Sequence, residues 1–185
     1  MDFLCLEIVN SSWYSTHQAF EDPLKNTEWI LKLADKYHIN SLPAPNKDEM
    51  EKLFEMRSAF TGLFIKVVEG KKLEDSDIKL VNSYMSDIWF YRQLQVEKGD
   101  YRLFDTPSIN NWSWFMAEIA VSFSRLCSSE TVINLKICQN PECRWFFIDE
   151  SKSGNRKWCD DTCSNLMKVR RFRQKQRDND RLVVL

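Results

Sequence analysis

The chain is poor in glycine and proline, with four and five of its 185 residues, and that scarcity argues against a loop-rich or disordered protein. Histidine is scarcer still. His17 and His38 are the only two, they stand apart, and neither reads as a metal ligand. No apolar run approaches the ~18 residues that a membrane span needs. The opening Met-Asp-Phe-Leu-Cys-Leu-Glu-Ile-Val has an acid where a secretory leader has a base, and Glu7 interrupts its apolar run. The expectation is a cytoplasmic protein with no membrane partner. A glycine-rich phosphate loop, a Gly-x-Ser-x-Gly nucleophile elbow and a histidine-rich metal site are all missing. With the commonest acid–base residue so rare, no enzyme is expected and no catalytic residue is assigned, although the abundant carboxylates leave an unusual acid–base site open.

What is present is an ordinary apolar content with many aromatics, in a chain long enough to build a true core. The net charge of −1 is unevenly spread. From Lys136 to Arg177 there are eleven Lys or Arg against five Asp or Glu, a net of +6, which leaves −7 for the remainder. An acidic body with a basic end is common among nucleic-acid-binding proteins. In a reducing compartment, six cysteines point to metal ligation or free thiols ahead of disulfides.

Periodicity gives an α+β chain: a mostly helical N-terminal domain with a small sheet or hairpin over 1–130, and a separate cysteine-bearing domain over 131–185. Phe3 to Val9 reads as a short buried strand, and Asn10 to Lys25 as irregular. Asn26 caps a helix carrying Trp29, Ile30, Leu33, Ala34 and Tyr37. Asn46 caps a longer one with Met50, Leu53, Phe54, Phe60, Leu63, Phe64 and Val67 on its apolar side, ended by Gly70. A third, from Asp75 or Ser76, carries Ile78, Val81, Tyr84, Met85 and Ile88. Trp89–Gln95 and Tyr101–Phe104 flank Lys98-Gly99-Asp100 as a hairpin. After Asn110-Asn111 a helix to about Cys127 is apolar nearly all round, through Trp112, Phe115, Met116, Ile119, Ala120 and Phe123, and reads as the central core helix. For all these aromatic and Met stripes, core packing is the first explanation.

Near the C-terminus, Cys138-Gln-Asn-Pro-Glu-Cys143 is followed by fifteen residues and then Cys159-Asp-Asp-Thr-Cys163. Two cysteine pairs with short internal gaps supply the two edges of a tetrahedral site. Asn140-Pro141 is a turn-forming dipeptide that can aim the first pair, and the four-residue step of the second pair puts its sulfurs on one helix face. Arg144–Asp149 reads as a strand, Lys152–Asn155 as a turn and Arg156–Trp158 as a returning strand, giving a treble-clef-like finger. One structural Zn2+ on Cys138, Cys143, Cys159 and Cys163 is the leading reading. An iron–sulfur cluster fits neither common ferredoxin spacing, and disulfides or free thiols are the remaining alternative. Four thiolates leave no open position for catalysis. Cys5 and Cys127 lie on apolar runs and read as core thiols.

The finger's helix, read over 160–177, carries Lys168, Arg170, Arg171, Arg173, Lys175 and Arg177 without an intervening acid. At 100° per residue, Lys168, Arg171 and Lys175 fall together and Arg170, Arg173 and Arg177 nearly opposite. Val169 and Phe172 form a narrow ridge between them that could dock on the zinc hairpin. Two exposed basic flanks suit phosphate contacts along a groove. The plainer reading is a solvated helix whose cations offset its negative end or pair with the acidic body. Asn165, Gln174 and Gln176 are candidate base readers.

These residues resemble a known family. Leu135 to Asp149, Arg156 to Cys159 and Cys163 to Arg173 look like the CGNR zinc finger of bacterial proteins, and Leu4-Cys-Leu-Glu-Ile-Val-Asn10 resembles the start of the ABATE domain that usually precedes it. The resemblance implies a bacterial transcription regulator with a ligand-sensing N-terminal domain and a DNA-binding finger. It places the metal ligands on the same four cysteines. Where the family has Cys-Gly-Asn-Arg, this chain has Cys163-Ser164-Asn165-Leu166, so the arginine is lost, while Lys168, Arg171 and Arg173 match the basic positions that follow. The expected function is therefore DNA-binding transcriptional regulation, with contacts mainly to phosphates, a small-molecule effector at the N-terminal domain, and a homodimer as an option. The alternative is a zinc-stabilised protein-interaction module without direct DNA binding.

Overall fold

The computed structural model describes residues 3–12, 21–86 and 88–183; His17 lies outside them. Phe3 to Val9, expected as a strand, instead forms helix α1, Leu4–Asn10. Its buried residues Leu4, Cys5, Ile8 and Val9 share one helical face, whereas a strand would turn neighbours to opposite sides. A short apolar run does not distinguish the two by itself.

The capping signals hold. Asn26 Oδ1 accepts the Trp29 N–H at the start of α2, Thr27–Lys36. Asn46 and Glu49 form a reciprocal capping box at α3, Lys47–Val68. Gly70, at φ +70°, follows the α3 C-cap. Helix α4, Asp75–Met85, is tied to α3 where Lys66 Nζ donates to both Asp77 carboxylate oxygens at 2.8 Å. Ile78, expected in the α4 stripe, is exposed, while Val81 is buried. Helix α5, Trp112–Ser128, is capped by Asn111 and buries Trp112, Phe115, Met116, Ala117, Ile119, Ala120, Phe123 and Leu126. It is the central helix, and Trp112 Nε1 donates to the Pro43 carbonyl.

An aromatic chain crosses the core. Tyr84 meets Phe60, Phe60 meets Phe123, Phe123 meets Phe64, and Phe64 meets Phe146, with ring centroids 5.2–5.8 Å apart. Contacts of this kind contribute about 0.5–1.5 kcal/mol each beyond area burial. Leu135 and Phe146, from the cysteine-bearing region, belong to the same buried cluster as the helices.

Among the described residues, four strands form two separate antiparallel pairs. Strands β1, Phe90–Glu97, and β2, Asp100–Pro107, make the expected hairpin. Its two-residue turn, Lys98-Gly99, has φ +52° and +91°, the geometry that twists in the same sense as the strands. Strands β3, Leu135–Ile137, and β4, Phe146–Ile148, bracket the first cysteine pair. The described fold is thus helical with small antiparallel sheets and ends in helix α6, Asp161–Val183, longer than the expected 160–177.

Candidate metal centre

The turn between β3 and β4 places the first two sulfurs. Cys138 N–H donates to the Trp145 carbonyl at 2.8 Å and so extends the ladder by one step. Asn140 is fully buried and organises the turn. Its carbonyl accepts the N–H groups of Cys143 and Arg144, its Oδ1 accepts from Glu142 N–H, and its Nδ2 donates to Cys163 Sγ at 3.4 Å. Arg144, at φ +56°, turns the chain from the ligand into β4. The second pair straddles the start of α6, where Asp160 Oδ1 accepts Cys163 N–H at 2.8 Å and caps the helix.

The four sulfurs converge. Cys143 Sγ lies 3.6 Å from Cys159 Sγ, and Cys159 Sγ lies 3.7 Å from Cys163 Sγ. All four ligand atoms, Cys138 included, fall within 4.8 Å of one another. A tetrahedron with Zn–S bonds of ~2.3 Å has edges of roughly 3.8 Å, so the spacing fits a zinc ion. It is far beyond the ~2.05 Å of a disulfide, and all six cysteines are free. Two of the thiols are held against ionisation. Contact with Cys143 and then burial raise Cys159, and burial pushes Cys163 up to about 11. A divalent cation reverses that preference and displaces the protons. Cys5 and Cys127 stand apart from the cluster, with burial pushing their thiols up to about 12 and about 11; they are packing residues.

The loop from β4 to the second pair is not a returning strand. β4 pairs with β3, and the 156–158 segment is held by a side chain. Asp149, whose carboxylate is fully buried, accepts from Lys136 Nζ at 2.6 Å, from Ser151 N–H and Oγ–H, and from Arg156 N–H at 2.7 Å. These donors, Lys136 first, hold the Asp149 carboxyl well below the usual carboxylate range. Gln139 N–H then donates to the Lys157 carbonyl, which brings the two ligand segments side by side. Sequence reading placed Asn140 in the turn that aims the first pair, but missed Asp149 and Asp160. The Asp160 cap was legible as an acid before a helix, but nothing local marks Asp149 as a hub.

The rotation of α6 differs from the expectation. Cys163, Met167 and Arg170 face the finger, while Val169 and Phe172 are exposed, so the apolar ridge does not dock. Cys163 fixes this rotation, because positions four and seven residues later follow it onto the same face. Of the six predicted contact residues, Arg170 pairs with Glu142 and the Arg171 guanidinium lies 5.8 Å from the Trp158 ring centroid. Lys168, Arg173, Lys175 and Arg177 are exposed and have no ion pair among the described residues.

Four converging cysteine sulfurs, with Asn140 donating to that of Cys163, form a site fit for a structural zinc ion. Residues 134–176 match the family model of the CGNR zinc finger, a match that covers the finger and leaves the helical body outside it. The four cysteines, close together within that finger, are consistent with one structural zinc ion. No curated protein matches the chain.

Proposed function

We propose that the chain is a DNA-binding transcriptional regulator of bacterial type, in which the zinc fixes α6 as the DNA-contacting element. The observation that carries this is the exposed surface of α6. Asn165, Val169, Phe172 and Gln176 recur at helical spacing along one exposed stripe. On the helical wheel, Lys168 and Lys175 flank that stripe on one side and Arg173 and Arg177 on the other. An α-helix fits the ~12 Å major groove. In that pose the cations meet phosphates and the amide and apolar residues face base edges and thymine methyls. Gln174 is a weaker reader, since its amide already donates to Asp178. Arg170 and Arg171 serve the finger and are not counted as phosphate contacts.

The knuckle–loop–helix order of the finger supports a treble-clef-like reading, and the helical body is read as an ABATE-like sensing domain. A cleft of about 440 Å3 lies between that body and the finger, lined by Val9, Thr61, Ile65, Ile137 and Arg144 among others. Its size is that of a small-molecule site, and it adjoins Cys143, so an effector there would act on the finger directly.

Fluorescence anisotropy of the zinc-loaded protein on random duplex DNA, titrated with salt, tests the reading. With four cations on phosphates, log affinity falls against log salt with a slope of about −3.6. Absence of binding at low salt rejects DNA and leaves the second reading, a zinc-stabilised protein-interaction module. Leu166, half-buried where the family has arginine, is the feature that favours that alternative.

A further inference from the structure

We propose that the β1–β2 ribbon is a homodimerisation surface whose apolar face is covered by a second copy of the chain. The pairing register sets Phe90, Arg92, Leu94 and Val96 opposite Pro107, Asp105, Leu103 and Tyr101 on one face. The other face carries Tyr91, Gln93, Gln95 and Glu97 with Thr106, Phe104, Arg102 and Asp100. In a half-buried hairpin the apolar face turns to the core. Here it is left in solvent, as most of the opposite face is: Leu94 is 68% exposed, Leu103 65%, Val96 66% and Tyr101 78%. Away from the strand ends, the partly covered residue is Phe104, on the opposite face. Neither strand has more than marginal contact with another described element. A lone two-stranded ribbon is marginal in water, and a contiguous exposed apolar patch marks an interaction surface.

The charge pattern selects the occupant. The face holds one cation and one anion, Arg92 and Asp105, directly opposite each other with Nε to Oδ1 at 3.1 Å. The face is therefore neutral and offers nothing to a polyanion. A two-fold axis parallel to the strands lays β1 of one copy over β2 of the other in unchanged register. Arg92 then meets Asp105 of the second copy, Leu94 meets Leu103 and Val96 meets Tyr101, each twice. Such self-complementarity is what an isologous interface requires. The area approaches that of a standard interface. Tyr101 offers most of the ~150–250 Å2 that an aromatic side chain buries. With Phe90, Leu94, Val96 and Leu103 the face supplies much of the ~800 Å2 per partner of a standard interface.

The test is independent of DNA binding. Sedimentation equilibrium of the zinc-loaded full chain, from low to high micromolar concentration, is expected to approach twice the 22.0 kDa chain mass. Leu94→Glu combined with Leu103→Glu gives the single-chain mass, with the circular dichroism spectrum and zinc content unchanged. Arg92→Asp weakens association by ~10-fold or more, because like charges then face each other both within each ribbon and across the interface, and adding Asp105→Arg restores it. A wild-type chain that stays at single-chain mass overturns the proposal. So does a dimer that survives the leucine substitutions, or a double charge reversal that fails to restore association.

Discussion

Asn10 clamps Phe146 from across the sequence. Its Nδ2 donates to the Phe146 carbonyl and its Oδ1 accepts the Phe146 N–H, each at 2.8 Å, between residues 136 positions apart. The carboxamide thereby satisfies the outer edge of β4 in place of another strand, at the point where α1 meets the finger. Asn10 is buried, so its removal strands two main-chain groups away from water.

Asn10→Ala is expected to destabilise the chain by about 2–4 kcal/mol, given ~1–3 kcal/mol for each buried polar group left unsatisfied. Urea unfolding at fixed zinc measures this. A loss below ~0.5 kcal/mol would mean that water replaces the amide and that the clamp is dispensable.

Metal analysis is expected to give one zinc per chain. Cys159→Ser should release it and unfold the turn and the start of α6, while α2 to α5 keep a cooperative transition, because the metal supplies local folding energy. The two regions share Leu135 and Phe146 in one core, so the midpoint of that transition should also fall. Loss of all cooperative melting would show that the helices cannot stand without the finger.

Zinc affinity should fall steeply with acid. The thiols of Cys159 and Cys163 are raised, the first by contact with Cys143 and the second by burial, so zinc binding must displace protons at every pH below their thiol pKa values. Lowering the pH from 8 to 6 therefore weakens zinc in competition with a chelator. A flat profile would mean that the sulfurs are already ionised before the metal arrives.

Asp149→Asn should loosen the finger at neutral pH. The carboxylate accepts four hydrogen bonds, and an amide placed there turns a donor toward donors. Asp149 has a folded pKa depressed below its ordinary 3.8. Its contribution is therefore fully present above that value and is lost as pH falls through the folded pKa. Hydrogen exchange of the 150–158 loop at pH 7 reads the effect, and unchanged protection would remove Asp149 from its role as hub.

On DNA, Lys168, Arg173, Lys175 and Arg177 changed to Ala should each lower the salt slope by about 1. Arg170→Ala should leave the slope alone and instead loosen the helix from Glu142. If Arg170 moves the slope as much as Arg173 does, α6 binds with the face opposite to the one assigned.

Much of this protein was legible locally. Asn26, Asn46 and Asn111 marked helix starts because capping is settled within four residues. Lys98-Gly99 marked the ribbon because a two-residue turn has few allowed geometries. The four cysteines announced their site because a tetrahedron of thiolates permits few spacings. Helix α1 was misread because a seven-residue apolar run carries too little periodicity to separate strand from helix.

The sequence by itself determined the zinc site, the caps, the hairpin and the charge of the last helix, since each depends on neighbours a few residues apart. Only the tertiary structure decided which face of α6 points outward, that β4 pairs with β3 and not with 156–158, that Asn10 closes the edge of β4, and that the apolar face of the ribbon is left uncovered by the core. Those outcomes depend on contacts between segments far apart in the chain, which no window of a few residues contains.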